Sequence, residues 1–236
     1  KSEKKMLRLL HGDVGCGKTI ISILSMLYVA EAGYQVALMA PTELLANQHF
    51  KTIKEICKCI SINIVVLTSS SKEKKAVLEK IKNGKVNFVV GTHALIQDDV
   101  VFKNLSYITI DEQHRFGVNQ RLTLRNKGER VDMLLMSATP IPRSLMLASY
   151  GDIDISIIKE KPKIRKEIIT IVKPMRKTNE VIDAIKRAVN NNQKVYWVCP
   201  MIDEDEDKEI ANVEKRYDIL KTIFAKKVAF IHGKIE

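Results

Sequence analysis

Three glycines, a lysine and a threonine close together make the stretch His11-Gly12-Asp13-Val14-Gly15-Cys16-Gly17-Lys18-Thr19 the first candidate for chemistry. It follows an apolar run at residues 6–10 and precedes a helix-like apolar segment at residues 20–30. That order predicts a strand, a glycine-rich loop and a helix. Gly12, Gly15 and Gly17 let the backbone curl, so that successive N–H groups from Gly12, Asp13, Val14, Gly15, Cys16 and Gly17 face one hollow where phosphate oxygens can sit. The helix that follows adds its positive N-terminal end. Lys18 supplies a point charge for β- and γ-phosphates, and Thr19 a hydroxyl for Mg²⁺. Alone, the pattern also fits an ordinary strand–helix turn.

A second element completes the chemistry. Tyr107-Ile108-Thr109-Ile110-Asp111-Glu112-Gln113-His114 reads as a strand ending in two carboxylates. Asp111 at the strand tip can hold Mg²⁺, directly or through water. Glu112 can then orient and deprotonate an attacking water. Together with the loop, the pair predicts a site for ATP and its hydrolysis. Gln113 and His114 follow as coupling residues, His114 sensing the γ-phosphate unless it is an ordinary core or surface histidine. Ser137-Ala138-Thr139 ends the next strand, where small hydroxyl residues can bond to the 111–114 segment and pass its state onward. They can equally cap the helix that Pro140 and Pro142 introduce.

The elements that must position these residues alternate along the chain. Strands are expected at residues 6–11, 35–40, 63–68, 87–91, 107–111, 132–138 and 153–158, several of them filled by Val, Ile and Leu on both faces. Segments such as 43–57 and 72–83 carry apolar residues at helical spacing with lysines and glutamates outward. The alternation predicts an α/β fold with a parallel sheet flanked by helices and ligands beyond the carboxyl ends of its strands. Residues 159–166 are charged, contain Pro162 and lack periodicity, which reads as a linker. The pattern then restarts over 167–236, with strands at 168–172, 194–199 and 228–232 and helices at 178–191 and 213–225. The acidic run 203–207 reads as a solvated loop, because consecutive carboxylates diverge and repel.

Composition narrows the class. Of 236 residues 45% are hydrophobic, enough for a core, and 39 Lys and Arg against 28 Asp and Glu give a formal charge of +11. Such an excess favours polyanions such as nucleic acid, although a lysine-rich surface also serves solubility alone. Cys16, Cys57, Cys59 and Cys199 lack zinc spacing and read as reduced thiols of a cytoplasmic protein. Cys57 and Cys59 fall two apart on an expected helix, so their side chains diverge. The most apolar helix is too short to span a bilayer, and no signal peptide is visible. The chain begins at Lys1 rather than Met, so an upstream portion is expected. No coiled-coil pattern is visible, and a monomer is expected.

In this order, the glycine-rich loop, Asp111-Glu112-Gln113-His114 and Ser137-Ala138-Thr139 resemble the motifs of superfamily 2 helicases and translocases. Residues 111–118 and 137–144 look like the RecG branch-migration type, as does Tyr196-Trp197-Val198-Cys199-Pro200-Met201-Ile202, with His232-Gly233 fitting the element that follows. Gln113 favours that type over the closely similar Mfd transcription-repair coupling translocases. The resemblance implies a RecA-like P-loop domain over 1–158 and a truncated second RecA-like domain over 167–236. It also implies that Pro41, Thr42 and Glu43, and Gly91, Thr92 and His93, face the nucleic-acid backbone. Neither element offers a base-reading pattern, so sequence-independent binding of branched DNA is expected.

RecG-type enzymes also carry a wedge domain, an adenine-recognition segment and later second-domain arginines that are not found in this sequence. Loss of such an arginine finger costs about 10³–10⁵ in rate, so the chain alone is expected to be a weak motor. Three other readings stay open at this point. They are Mfd-type translocation, a non-catalytic remnant that only binds nucleotide or DNA, and a P-loop ATPase acting on something other than nucleic acid.

Overall fold

The computed structural model describes residues 5–71, 73–112, 116–139, 153–160, 168–199 and 213–232. Gln113 and His114, residues 140–144, most of the expected linker, the acidic run and Gly233 lie outside them. The chain divides into two compact units, Lys1–Lys166 and Glu167–Glu236.

In the first unit the strands are β1 (Leu7–Gly12), β2 (Gln35–Met39), β3 (Ile64–Leu67), β4 (Phe88–Gly91), β5 (Leu105–Ile110), β6 (Asp132–Ser137) and β7 (Asp154–Ile158). They form one seven-stranded sheet in the order β3-β4-β2-β5-β6-β1-β7. Every pairing is parallel. Helix α1 (Lys18–Glu31) follows β1, α2 (Glu43–Ile56) follows β2, α3 (Lys74–Lys82) follows β3, and α4 (Val118–Arg125) follows β5.

Strand composition explains the layering. All five residues of β2 and all four of β4 are buried, as strands covered on both faces require. Alternate residues go to opposite layers. Val36, Leu38 and Phe88 pack with Ile23 and Met26 of α1 and Ala46 and Ile53 of α2. Ala37, Met39 and Val89 pack on the other side with Ile81 of α3 and Leu124 of α4. Polar clips close the core. Gln35, 2% exposed, donates from Nε2 to Ile81 O and Val86 O, while its Oε1 accepts from Lys103 N and Asn104 N. Ser22 Oγ in α1 donates to Thr109 Oγ1 in β5.

Seven expected strands of this unit therefore form, each shifted by only a residue or two. Helix α2 stops sooner than expected: Cys57 is its buried C-cap and Cys59 lies exposed beyond it. The four cysteines are unbridged.

The second unit holds α5 (Thr178–Asn190) and α6 (Val213–Phe224). Its expected strands at 168–172, 194–199 and 228–232 form no ladder among the described residues. Val172, Tyr196 and Ile231 are 94%, 89% and 87% exposed, so these segments lack the cover and edge partners on which a parallel strand depends. The last two instead touch α6 through side chains. The Arg216 guanidinium stands over the Trp197 ring at 4.7 Å, and the rings of Tyr217 and Phe230 are 4.5 Å apart.

Candidate functional site

Sheet order brings the chemistry to one edge. β1, β6 and β5 are neighbours, so the loop after β1, the Ser137 turn after β6 and the carboxylates after β5 all leave the same, carboxyl end of the sheet. His11 pairs with Ser137, and Ile110 with Leu135, fixing the three strand tips at similar height. That end is where open α/β sheets bind ligands.

The loop turns back on itself for local reasons. A Cβ on Gly12 would meet Cys16 Sγ at 2.5 Å and Ile158 of β7 at 3.2 Å, so glycine lets the turn seat closely against β7 without displacing either. Gly17 is the N-cap of α1 at φ +99° and offers no capping side chain, which leaves the first-turn N–H groups for an anion. Asp13 shapes the turn by accepting from Val14 N through Oδ1 and from Cys16 N through its carbonyl. Lys18 Nζ bends back to donate to Gly12 O at 2.7 Å and Asp13 O at 2.9 Å, centring its charge on the loop. A cavity of about 330 Å³ lies alongside, lined by Gly15, Gly17, Lys18 and Thr19 and by Thr52 and Ile56 of α2. A glycine cradle, a lysine and an uncapped helix end suit a nucleotide's phosphates.

The carboxylates are built differently. Asp111 N donates to Met39 O, extending the β2–β5 ladder to the strand tip. Its Oδ1 accepts from Glu112 N at 3.0 Å, and its Oδ2 from His49 Nε2 at 2.8 Å. Glu112 takes φ 49°, the left-handed region, where a side chain costs roughly 1–2 kcal/mol and turns sharply away from the strand. A carboxylate pair at the same ligand edge of the sheet as the glycine-rich loop offers the hard oxygen donors that Mg²⁺ prefers.

The remaining expected residues fall into three groups. Thr42 is the α2 N-cap, its Oγ1 accepting from Leu45 N. Glu43 holds the turn after β3, with Oε1 accepting from Ser70 N and Oε2 from Ser70 Oγ. The Ser70 hydroxyl above all holds the Glu43 carboxyl below its usual range. Pro41 is half-buried. Gly91 and Thr92 are buried, whereas His93 is exposed and packs edge-on against Phe116, centroids 5.0 Å apart. Ser137 is fully buried, and among the described residues its Oγ bonds to Thr139 O and Oγ1 within its own turn; Ala138 is half-buried.

Comparison with known proteins gives the family. The family profile described as DEAD/DEAH box helicase matches residues 2–147. The chain belongs to the DEAD/DEAH box helicase family. Within that family it is 48% identical to the ATP-dependent DNA helicase RecG of Aquifex aeolicus over 98% of this chain and 30% of that protein. It is 44% identical to RecG of Thermotoga maritima over 99% of this chain and 30% of that protein. A solved structure of RecG bound to a three-way DNA junction superposes with a TM-score of 0.69 at 46% identity, covering 80% of this chain and 26% of that one. The chain thus spans about a third of the length of the curated relatives it matches.

Sequence reasoning missed His49. The available signal was its position on the apolar face of α2 between Ala46 and Ile53, where a buried polar ring needs a partner. The Ser22–Thr109 bond and the Thr52–Ile56 wall of the cavity carried no sequence signal, since each arises from elements that meet only in the fold.

Proposed function

We propose that this chain is the ATP-binding motor portion of a RecG-like helicase that uses ATP hydrolysis to remodel branched DNA, such as replication forks and Holliday junctions. The observation that carries the reading is the glycine-cradled loop with Lys18 on its carbonyls, with one strand, β6, between its own strand and the strand that ends in Asp111 and Glu112. In this reading the N–H groups of residues 12–19 and the Lys18 ammonium hold the β- and γ-phosphates. Thr19 and Asp111 hold Mg²⁺, which supplies charge neutralisation between phosphate oxygens when bound. Glu112 orients the attacking water and accepts its proton. Gln113, His114 and the Ser137–Thr139 turn pass the state of the site to the rest of the protein.

Pro41, Thr42 and Glu43, with Gly91, Thr92 and His93, form the side turned to the DNA backbone. The burial of Gly91 and Thr92 leaves His93 and the α2 N-terminus as the parts that reach it. A monomeric, cytoplasmic protein fits this work. No helix among the described residues is long and apolar enough to cross a membrane.

The test is nucleotide binding and steady-state hydrolysis by the 236-residue chain, with and without forked DNA at several salt concentrations. Mg²⁺-dependent binding that Lys18→Ala abolishes, with DNA affinity that falls as salt rises, is the expected result. Nucleotide binding indifferent to Lys18→Ala would overturn the site, and DNA binding indifferent to salt would overturn the backbone contacts.

A further inference from the structure

His49 lies outside every motif that the function uses, yet it is built into the site. It stands on the core-facing stripe of α2 with Ala46 and Ile53, and is 7% exposed. An imidazole in such a seat is costly unless bonded, and an aliphatic residue would fill the space more cheaply. Its bond runs to Asp111 Oδ2 at 2.8 Å, joining residues 62 positions apart. An ionised carboxylate only accepts, so Nε2 carries the proton and the bond has a direction.

The second oxygen of Asp111 is held by Glu112 N, a bond between adjacent residues that moves with the strand tip. That local bond alone leaves the carboxylate without a reference outside its own loop. The His49 bond supplies one, because α2 is anchored in the core by Ala46 and Ile53. Each oxygen accepts one hydrogen bond and keeps lone-pair capacity for a cation or its waters. This is the arrangement in which an outer partner orients a ligating carboxylate and tunes its affinity.

We propose that His49 is a positioning residue for Asp111: its Nε2–H fixes the carboxylate in the orientation that receives Mg²⁺, so that removing this donor weakens Mg²⁺ binding at the nucleotide site and not nucleotide contact itself. The inference rests on the reading of Asp111 as a metal ligand.

The experiment titrates Mg²⁺ into the 236-residue chain with a fluorescent ATP analogue, following binding rather than turnover. His49→Leu fills the seat without a donor, and His49→Gln keeps an amide donor of comparable reach. His49→Leu is expected to raise the half-saturating Mg²⁺ concentration about ten- to a hundredfold, leaving analogue binding in EDTA unchanged, while His49→Gln stays within about threefold of the parent. An unchanged Mg²⁺ requirement in His49→Leu, or a His49→Gln variant as impaired as His49→Leu, overturns the proposal. If the parent chain binds the analogue without regard to Mg²⁺, the reading of the metal site fails, and the proposal with it. Should His49→Leu not fold, ¹⁵N spectra of the imidazole in the parent chain decide instead. A protonated Nε2 whose signal moves when Mg²⁺ and analogue are added supports the role, and a bare Nε2 refutes it.

Discussion

Ser22 and Thr109 join the two halves of the site inside the core: both are fully buried, and the α1 hydroxyl donates to the β5 hydroxyl at 2.9 Å. Ser22 lies one turn beyond Lys18 and Thr19, and Thr109 two residues before Asp111. The helix that follows the glycine-rich loop and the strand that presents the carboxylates are thereby held at a fixed separation. Ser22→Ala leaves a buried acceptor without its donor and is expected to cost about 1–3 kcal/mol in urea unfolding. Adding Thr109→Val removes the orphan, so the double variant should be more stable than the sum of the single losses by roughly 1 kcal/mol. Simple additivity would mean the bond does not couple the two elements.

Gln35 makes four backbone hydrogen bonds at the opposite end of the sheet, to Ile81 O, Val86 O, Lys103 N and Asn104 N. Gln35→Leu leaves Val86 O, Lys103 N and Asn104 N without this partner, while Ile81 O keeps Gly84 N. The expected loss is about 3 kcal/mol or more in unfolding free energy, with nucleotide affinity of the folded fraction unaltered. A drop in affinity at full folding would show that the amino end of β2 communicates with the site.

Two glycines are predicted to fail in different ways. A Cβ on Gly91 would lie 2.3 Å from Leu67 O and 2.8 Å from Leu95 Cγ, so Gly91→Ala forces β3 and β4 apart. We expect about 1–3 kcal/mol of destabilisation there, with little change in nucleotide binding. A Cβ on Gly17 meets nothing closer than Ile20 Cγ2 at 3.5 Å, but φ is +99°. Gly17→Ala therefore strains the loop by roughly 1–2 kcal/mol and should weaken nucleotide binding more than stability. Parallel thermal melts and binding curves separate the two, and a Gly17→Ala variant with parental affinity would contradict the cradle.

What was legible in the sequence follows from range. The glycine-rich turn between β1 and α1 could be read because its glycine spacing, Lys18 and Thr19 act within one turn of chain. The seven strands of the first unit could be read because each is an apolar run bounded by turns, as at residues 35–39 and 105–110. Helix α4 (VNQRLTLR) was not foreseen, being short and weakly apolar. His49 and Ser22 gain their meaning from partners 62 and 87 positions away, which no local pattern encodes. The second unit errs in the opposite sense. Residues 168–172 and 194–199 have strand-like composition, but a ladder needs neighbouring strands, and composition does not supply them.

Tyr107 gives the pH dependence of the core its sign. It lies on β5 among Leu10, Val36 and Leu134, and is 5% exposed. Burial pushes its phenol from the ordinary 10.0 up to about 12; the Asp132 charge adds to the rise and a hydrogen bond with Ser25 opposes it. The folded state then holds the proton more tightly than the unfolded chain. This contribution is complete below pH 10 and is lost as pH climbs from 10 towards 12, where the unfolded chain binds fewer protons than the folded one. The shift corresponds to about 2–3 kcal/mol across that window. Alkaline absorbance titration should contain a late phenolate step near 12 that Tyr107→Phe deletes. The same substitution should flatten the fall of unfolding free energy above pH 10. A late step that survives in Tyr107→Phe would assign it to another tyrosine.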